Sequence, residues 1–143
     1  MSQSTSDDLN LARKILREEG LSLVLVKSGK LLFKSKSHGV SDLLAMISDI
    51  GYLAEGASLA DSVVGRAAAL LCVYSKIVAA YGVNMSEGGA SVFKTNGVHY
   101  EYGMLVPKIL NREKSDICPF DKAVSGIEDP SVALDKLKSL RLR

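Results

Sequence analysis

Apolar positions in "DDLNLARKILREEG" recur at helical intervals. Leu9, Ala12 and Leu16 fall on one face, which predicts a helix over residues 7–19, capped by Asp7 or Ser6 and stopped by Gly20. Two strand-like runs follow, "LSLVLVK" and "KLLFKS", parted by Ser28-Gly29, a dipeptide suited to a tight hairpin turn. "SDLLAMISDIG" reads as a short helix capped by Ser41 and closed by Gly51. After a loop containing Gly56 comes "ADSVVGRAAALLCVYSK", the most apolar stretch of the chain. Its small residues Gly65, Ala67, Ala68 and Ala69 predict a central helix pressed closely against a sheet, with Asp61 and Ser58 at its mouth.

Beyond it, "KIVAAYGVNM" predicts a strand, "SEGGASVFKTNG" a helix ended by Asn96-Gly97, and "VHYEYGMLV" an alternating strand closed by Pro107. A strand, a connecting helix and a second strand make a parallel crossover. "NREKSD" is a polar loop, Cys118-Pro119 opens a further helix, and Asp129-Pro130 opens the last with proline at the first helical position. This order predicts an α/β domain: a three-layer α/β/α sandwich around a mixed sheet of about four to five strands. Such folds bind ligands beyond the carboxyl ends of their parallel strands. Three helix starts are expected to collect there, near Asp61, near Ser86 and at Cys118.

A chain of 143 residues fits a single domain, with an ordered core expected over about residues 7–140. Hydrophobic residues at 47 % and charged residues at 24 % exclude a disordered chain, and no internal repeat or linker interrupts the pattern. With 18 basic against 16 acidic residues, charge gives no argument for a nucleic-acid or membrane surface. The basic tail "KLKSLRLR" is accounted for by the last turn of a helix, where cations complement the dipole. No apolar run follows the polar start "MSQSTSDDLN", so it is not a secretory signal, and two cysteines do not make a disulfide framework; a cytoplasmic protein is the expectation.

The cysteines differ. Cys72 sits among Leu71 and Val73 and reads as core. Cys118, as the N-cap before Pro119, would place its sulfur beside unpaired backbone N–H groups that favour a thiolate, while Asp121 and burial would oppose the effect. Cys118 therefore stands either as a space-filling residue or as a ligand-contacting, reactive thiol. Asp61 and Ser58 are explained by capping, or Asp61 projects into a pocket where Asn111 and Arg112 supply donors for an anionic or planar ligand. Arg66 either snorkels to the surface or reaches a buried acid. His38 and His99 have no second histidine at metal spacing and read as solvated; "SEGGAS" lacks the Lys-Ser/Thr that completes a phosphate-binding loop.

Three stretches, "LVLVKSGKLLFKSKSHGVSDLLAMI", "LAEGASLADSVVGRAAALL" and "LVPKILNREKSDICPFDKAV", resemble the domain of unknown function family numbered 1893, whose fold is similar to that of cytidine deaminases. The resemblance runs from about Leu9 to Leu137 and implies a deaminase-like sandwich with a pocket at helix mouths. Zinc deaminases hold their metal with H-x-E at one helix start and P-C-x-x-C at the next. Here Asp61-Ser62-Val63 and "NMSEGG" stand at the places compared by element order, so no zinc centre and no cofactor is expected. Ser62 and Arg66 stand where the resembled family usually carries lysines, so an amine-dependent activity of relatives does not transfer.

These readings lead to a domain that binds a small nucleotide-like or otherwise anionic metabolite in a pocket lined by Asp61, Arg66, Asn111, Arg112, Cys118 and Asp121. Alternatives are a non-catalytic regulatory module that self-associates, and a metal-free transferase or hydrolase with Cys118 as nucleophile and Asp61 as acid or base.

Overall fold

The computed structural model describes residues 1–37, 39–111 and 113–141. Its first helix, α1 (Gln3–Glu19), begins a turn earlier than the spacing of its apolar face requires, because the Ser2 hydroxyl accepts from the Thr5 N–H. Gly20, in the left-handed region at φ 63°, ends it as expected. Strands β1 (Leu23–Lys27) and β2 (Lys30–Ser35) form the predicted hairpin, and its turn residues Ser28 and Gly29 both have positive φ.

That turn is held from below. Asp8, on the buried face of α1 and only 5 % exposed, accepts the N–H groups of Ser28 and Gly29 at 2.9 Å each. Removing the carboxylate takes both donors of this exposed turn from a buried, charged partner and unties the turn from α1. Asp8→Ala is expected to lower unfolding stability by about 2–3 kcal/mol in a urea titration; a loss below about 0.5 kcal/mol would mean that water replaces the clasp.

Helix α2 (Val40–Ile50) follows, then a short 3-10 turn (Gly51–Ala54) and strand β3 (Ser58–Val64). Here the sequence reading is corrected. The apolar stretch from residue 58 onward is a strand and then a helix, joined at Gly65: helix α3 spans only Arg66–Tyr74. A strand buried on both faces shows no alternation, so periodicity could not separate it from the helix behind it. Ser58 and Asp61 therefore cap nothing. They sit within β3, where the Ser58 hydroxyl donates to the Thr5 carbonyl.

Strand β4 (Ala79–Ser86), helix α4 (Glu87–Thr95), strand β5 (His99–Val106), helix α5 (Pro119–Ala123) and helix α6 (Pro130–Arg141) complete the chain. The sheet is mixed and five-stranded, in the order β2-β1-β3-β4-β5, with β3, β4 and β5 parallel and the hairpin antiparallel to them. Two consecutive crossovers, β3-α3-β4 and β4-α4-β5, replace the single one anticipated. Helix α1 alone covers one face, packing Ala12 and Leu16 on Val24, Val26 and Ala60. The other helices cover the opposite face over Leu23, Leu25 and Leu59, which makes the three-layer α/β/α sandwich that the element order predicted.

Candidate functional site

The carboxyl ends of the parallel strands are where α3 and α4 begin, and the segment after β5 returns across this edge to α5. The return encloses a cavity of about 670 Å³. Its walls are the start of α2 (Gly39, Val40, Ser41), the β3–α3 junction (Val63, Gly65, Ala68), the returning segment (Ile109, Leu110, Asn111, Glu113) and the start of α5 from Cys118 to Asp121. Of the three helix starts expected here, that of α4 does not line the cavity. It packs instead on the β3–α3 junction, where a Cβ on Gly89 would stand 2.9 Å from the Val64 carbonyl oxygen. The start of α2 takes its place.

Each wall has an identifiable anchor. Asp42, in the first turn of α2, accepts the hydroxyls of Ser22 at 2.6 Å and Ser35 at 2.7 Å, which ties that helix start to the β1–β2 layer. The N-cap of α2 is Gly39, which has no side chain to cap with, so among the described residues the first N–H groups of the helix have no side-chain partner. Wall α5 is pinned to α3 by Asp121, whose Oδ1 accepts the Ala67 N–H at 2.8 Å. Gly65 makes this possible: a Cβ there would lie 2.8 Å from the Asp121 Cγ and overlap its Oδ2. Arg66 adds a second pin, donating from Nε to the Val124 carbonyl at 3.0 Å and from Nη2 to the Ile127 carbonyl.

Of the residues singled out from sequence, Asn111, Cys118 and Asp121 meet at the cavity. Asn111 spends its side chain on its own loop, accepting from the Ser115 N–H at 3.0 Å and donating to the Ser115 hydroxyl. Arg66 points the other way, toward the turn after α5. Arg112 and His38 lie outside the described residues. His99 pairs with Glu101 at 2.7 Å on the half-exposed side of β5. Asp61 is 6 % exposed and lies beneath the cavity rather than on its surface.

Burial dominates the electrostatics of this region. It pushes the Asp61 carboxyl up to about 8; the N–H groups of Val63 and Ser62 counteract it and the Asp42 carboxylate adds to it. Burial, helped by Asp61, likewise pushes the Cys72 thiol far up, consistent with an inert core residue. Burial holds Asp121 above the usual carboxylate range, against the opposing pull of the Ala67 N–H and of Arg66. Cys118 is raised too, by burial first and then by the Asp121 charge, against the N–H groups of Asp121 and Phe120 that favour the thiolate. The helix-start effect on this sulfur is real but smaller than desolvation, so Cys118 is a neutral thiol at neutral pH.

Of the positions compared with the zinc-deaminase motif, Asp61-Ser62-Val63 is strand and not a helix start, whereas "NMSEGG" runs from β4 into α4 as the element order predicted. Cys118 is the sole thiol at the cavity, and among the described residues no three His, Cys, Asp or Glu side chains cluster so as to hold a metal ion. This donor set does not fit a zinc centre.

The family model described as a domain of unknown function (DUF1893) matches residues 11–140. The chain belongs to the DUF1893 family. The crystal structure of a DUF1893 family protein from Thermotoga maritima is 26 % identical and superimposes with a TM-score of 0.86, over 97 % of this chain and 91 % of that one. The dCMP deaminase of the cyanophage S-TIM5 gives a TM-score of 0.49 both in its apo form, at 14 % identity, and in complex with dCMP and dUMP, at 12 %. Each match covers 71 % of this chain and 99 % or 98 % of the deaminase. No curated protein matches the chain.

Sequence reasoning missed the DUF1893 protein's Gly39, Val40, Gly65 and Phe120 as cavity residues. Gly65 was the detectable one: a glycine between an apolar run and an alanine-rich helix marks a helix entry where something packs against bare backbone.

Proposed function

We propose that this DUF1893 protein binds a small metabolite with a flat or apolar body and an anionic group, nucleotide-like in outline, in the cavity between α2, α3 and α5. The observation that carries the reading is the cavity itself: about 670 Å³, within the range of small-molecule sites, with mostly apolar walls and a few convergent polar groups. Val40, Val63, Ile109, Leu110 and Phe120 offer packing surface to a ring. The uncapped start of α2 offers N–H groups to an anion. Cys118 contributes a neutral thiol to the wall, which favours contact over nucleophilic attack.

Alkylation kinetics test this. Cys118 should react with iodoacetamide more slowly than an unstructured cysteine peptide at pH 7, accelerate only above the ordinary cysteine titration range, and slow further when millimolar AMP or CMP is added. Reaction at the peptide's rate, untouched by either nucleotide, would remove the proposal.

A second reading is association through the sheet edge. The β2 edge is studded with Lys30 and Lys34, a common device against strand pairing, whereas β5 leaves Tyr102 45 % and Met104 60 % exposed beside an open edge. If copies pair there, sedimentation velocity will show a dimer that Met104→Lys dissociates; a wild-type monomer at tens of micromolar would end this reading.

A further inference from the structure

At the opposite end of the helical layer, away from the cavity described above, α2 and α3 both terminate. Between their ends lies a second cavity, of about 460 Å³, lined by Ile47 and Gly51 of α2 and the 3-10 turn, Tyr52, Glu55, Tyr74, Ser75, Lys76 and Ser131. The start of α6 enters the lining through Ser131, and its first N–H groups are taken by the Asp129 carboxylate, so the charge here leans negative. A helix C-terminus carries partial negative charge and is normally met by Lys, Arg or His in the last turn. Neither α2 nor α3 has a basic residue there, and α2 instead has the exposed acid Asp49 near its end. Glu55 adds a full negative charge at the rim.

Two aromatic rings stand at this place. Tyr52 is 85 % exposed and Tyr74 40 %, so neither is held by the core. One cation is already present in the lining, and its conformation is unusual. Lys76 occupies the left-handed region at φ 60°, the position after the α3 cap that glycine fills most cheaply. Its ammonium lies 3.8 Å from Glu55, with both side chains mostly in solvent, a geometry of little energetic worth that an incoming cation can displace.

We propose that this cavity is a binding site for a small organic cation, an alkylammonium or guanidinium, held between the tyrosine faces and the two helix ends, with Lys76 as the internal group it displaces. Delocalised or alkylated charge suits the site because ring faces attract weakly hydrated cations, while the helix ends and Glu55 supply the opposing charge.

Backbone amide NMR titrations of the full chain with tetramethylammonium, spermidine and arginine amide, against sodium chloride at matched ionic strength, test it. The expected result is saturable shifts centred on Gly51, Tyr52, Glu55 and Ser75. Tyr52→Ala and Tyr74→Ala should each weaken binding about two- to five-fold. Glu55→Gln should weaken it as well, and Lys76→Gln should strengthen it. A stronger response to arginine amide points to a guanidinium-bearing ligand, and to tetramethylammonium or spermidine to a free amine; either supports the site. These substitutions lie on the surface, and an unchanged melting temperature certifies the fold. Shifts no larger than those caused by sodium, or saturable binding that survives loss of both tyrosines, would overturn the proposal.

Discussion

Replacing Gly65 with alanine will cost about 2–4 kcal/mol of stability and collapse the first cavity, although it adds a single methyl group in a backbone conformation any residue tolerates. The Gly65 φ of −99° imposes no strain, so the effect comes from space alone. The methyl group would occupy the position of the Asp121 carboxylate, which must then leave the Ala67 N–H and take the α5 wall with it. A double-mutant cycle isolates this cause. With Asp121→Ala in place the three atoms nearest the new methyl group are gone, so the Gly65→Ala penalty should shrink to under about 1 kcal/mol. If the two losses simply add, the carboxylate is not what holds Gly65 to glycine.

The second large effect is a dependence on pH that runs opposite to ordinary acid denaturation. Asp61 titrates near pH 8 in the folded chain, because burial disfavours its charged form, and near pH 4 when unfolded. Between those values the folded state holds a proton that the unfolded state has released. Stability therefore falls as pH rises from about 4 to about 8, by an amount on the order of 5 kcal/mol when the interval is complete. Asp61→Asn removes the titration. Its urea-unfolding stability should lose most of this slope, keeping the smaller part of the same sign that the raised Asp121 carboxyl contributes, and should lie below wild type at pH 5, where its amide lacks fitted partners, and above it at pH 9. Parallel pH profiles for the two proteins would show that Asp61 carries its charge without penalty and is better hydrated than its 6 % exposure implies.

Most of the fold was legible because its signals are local. Gly20 ends α1 and Ser28-Gly29 turns the hairpin, each through a positive φ that sequence can anticipate. Gly97 follows α4 with a positive φ in the same way, whereas α6 starts where Asp129 accepts the Ser131 N–H and Pro130 takes the first helical position. The missed element, β3, failed for want of such a signal: apart from Ser58, Asp61, Ser62 and Arg66 the stretch from Ser58 to Tyr74 is apolar without alternation, and Gly65 marks the place where an extended backbone becomes helical. That single error placed Asp61 at a helix mouth when it belongs to a buried strand.

The site was legible in part. Asn111, Cys118 and Asp121 lie within one short segment, so finding one found all three. The contacts that position them are long-range: Asp121 reaches Ala67, and Arg66 reaches Val124 and Ile127, across more than fifty positions of chain. No spacing rule encodes such pairings. The start of α2 entered the cavity unannounced because Gly39, Val40 and Ser41, which line it, carry no distinctive chemistry, and the fold decides which way they face.

Native mass spectrometry of the purified protein, alone and with added nucleoside monophosphates, tests the central claim most directly when wild type is compared with Val63→Trp. Val63 lines the cavity and is 38 % exposed, so an indole there fills the space without entering the core. The account predicts one bound small anion per wild-type chain and none on Val63→Trp. A wild-type chain that takes up nothing, or a tryptophan variant that binds equally well, would contradict it.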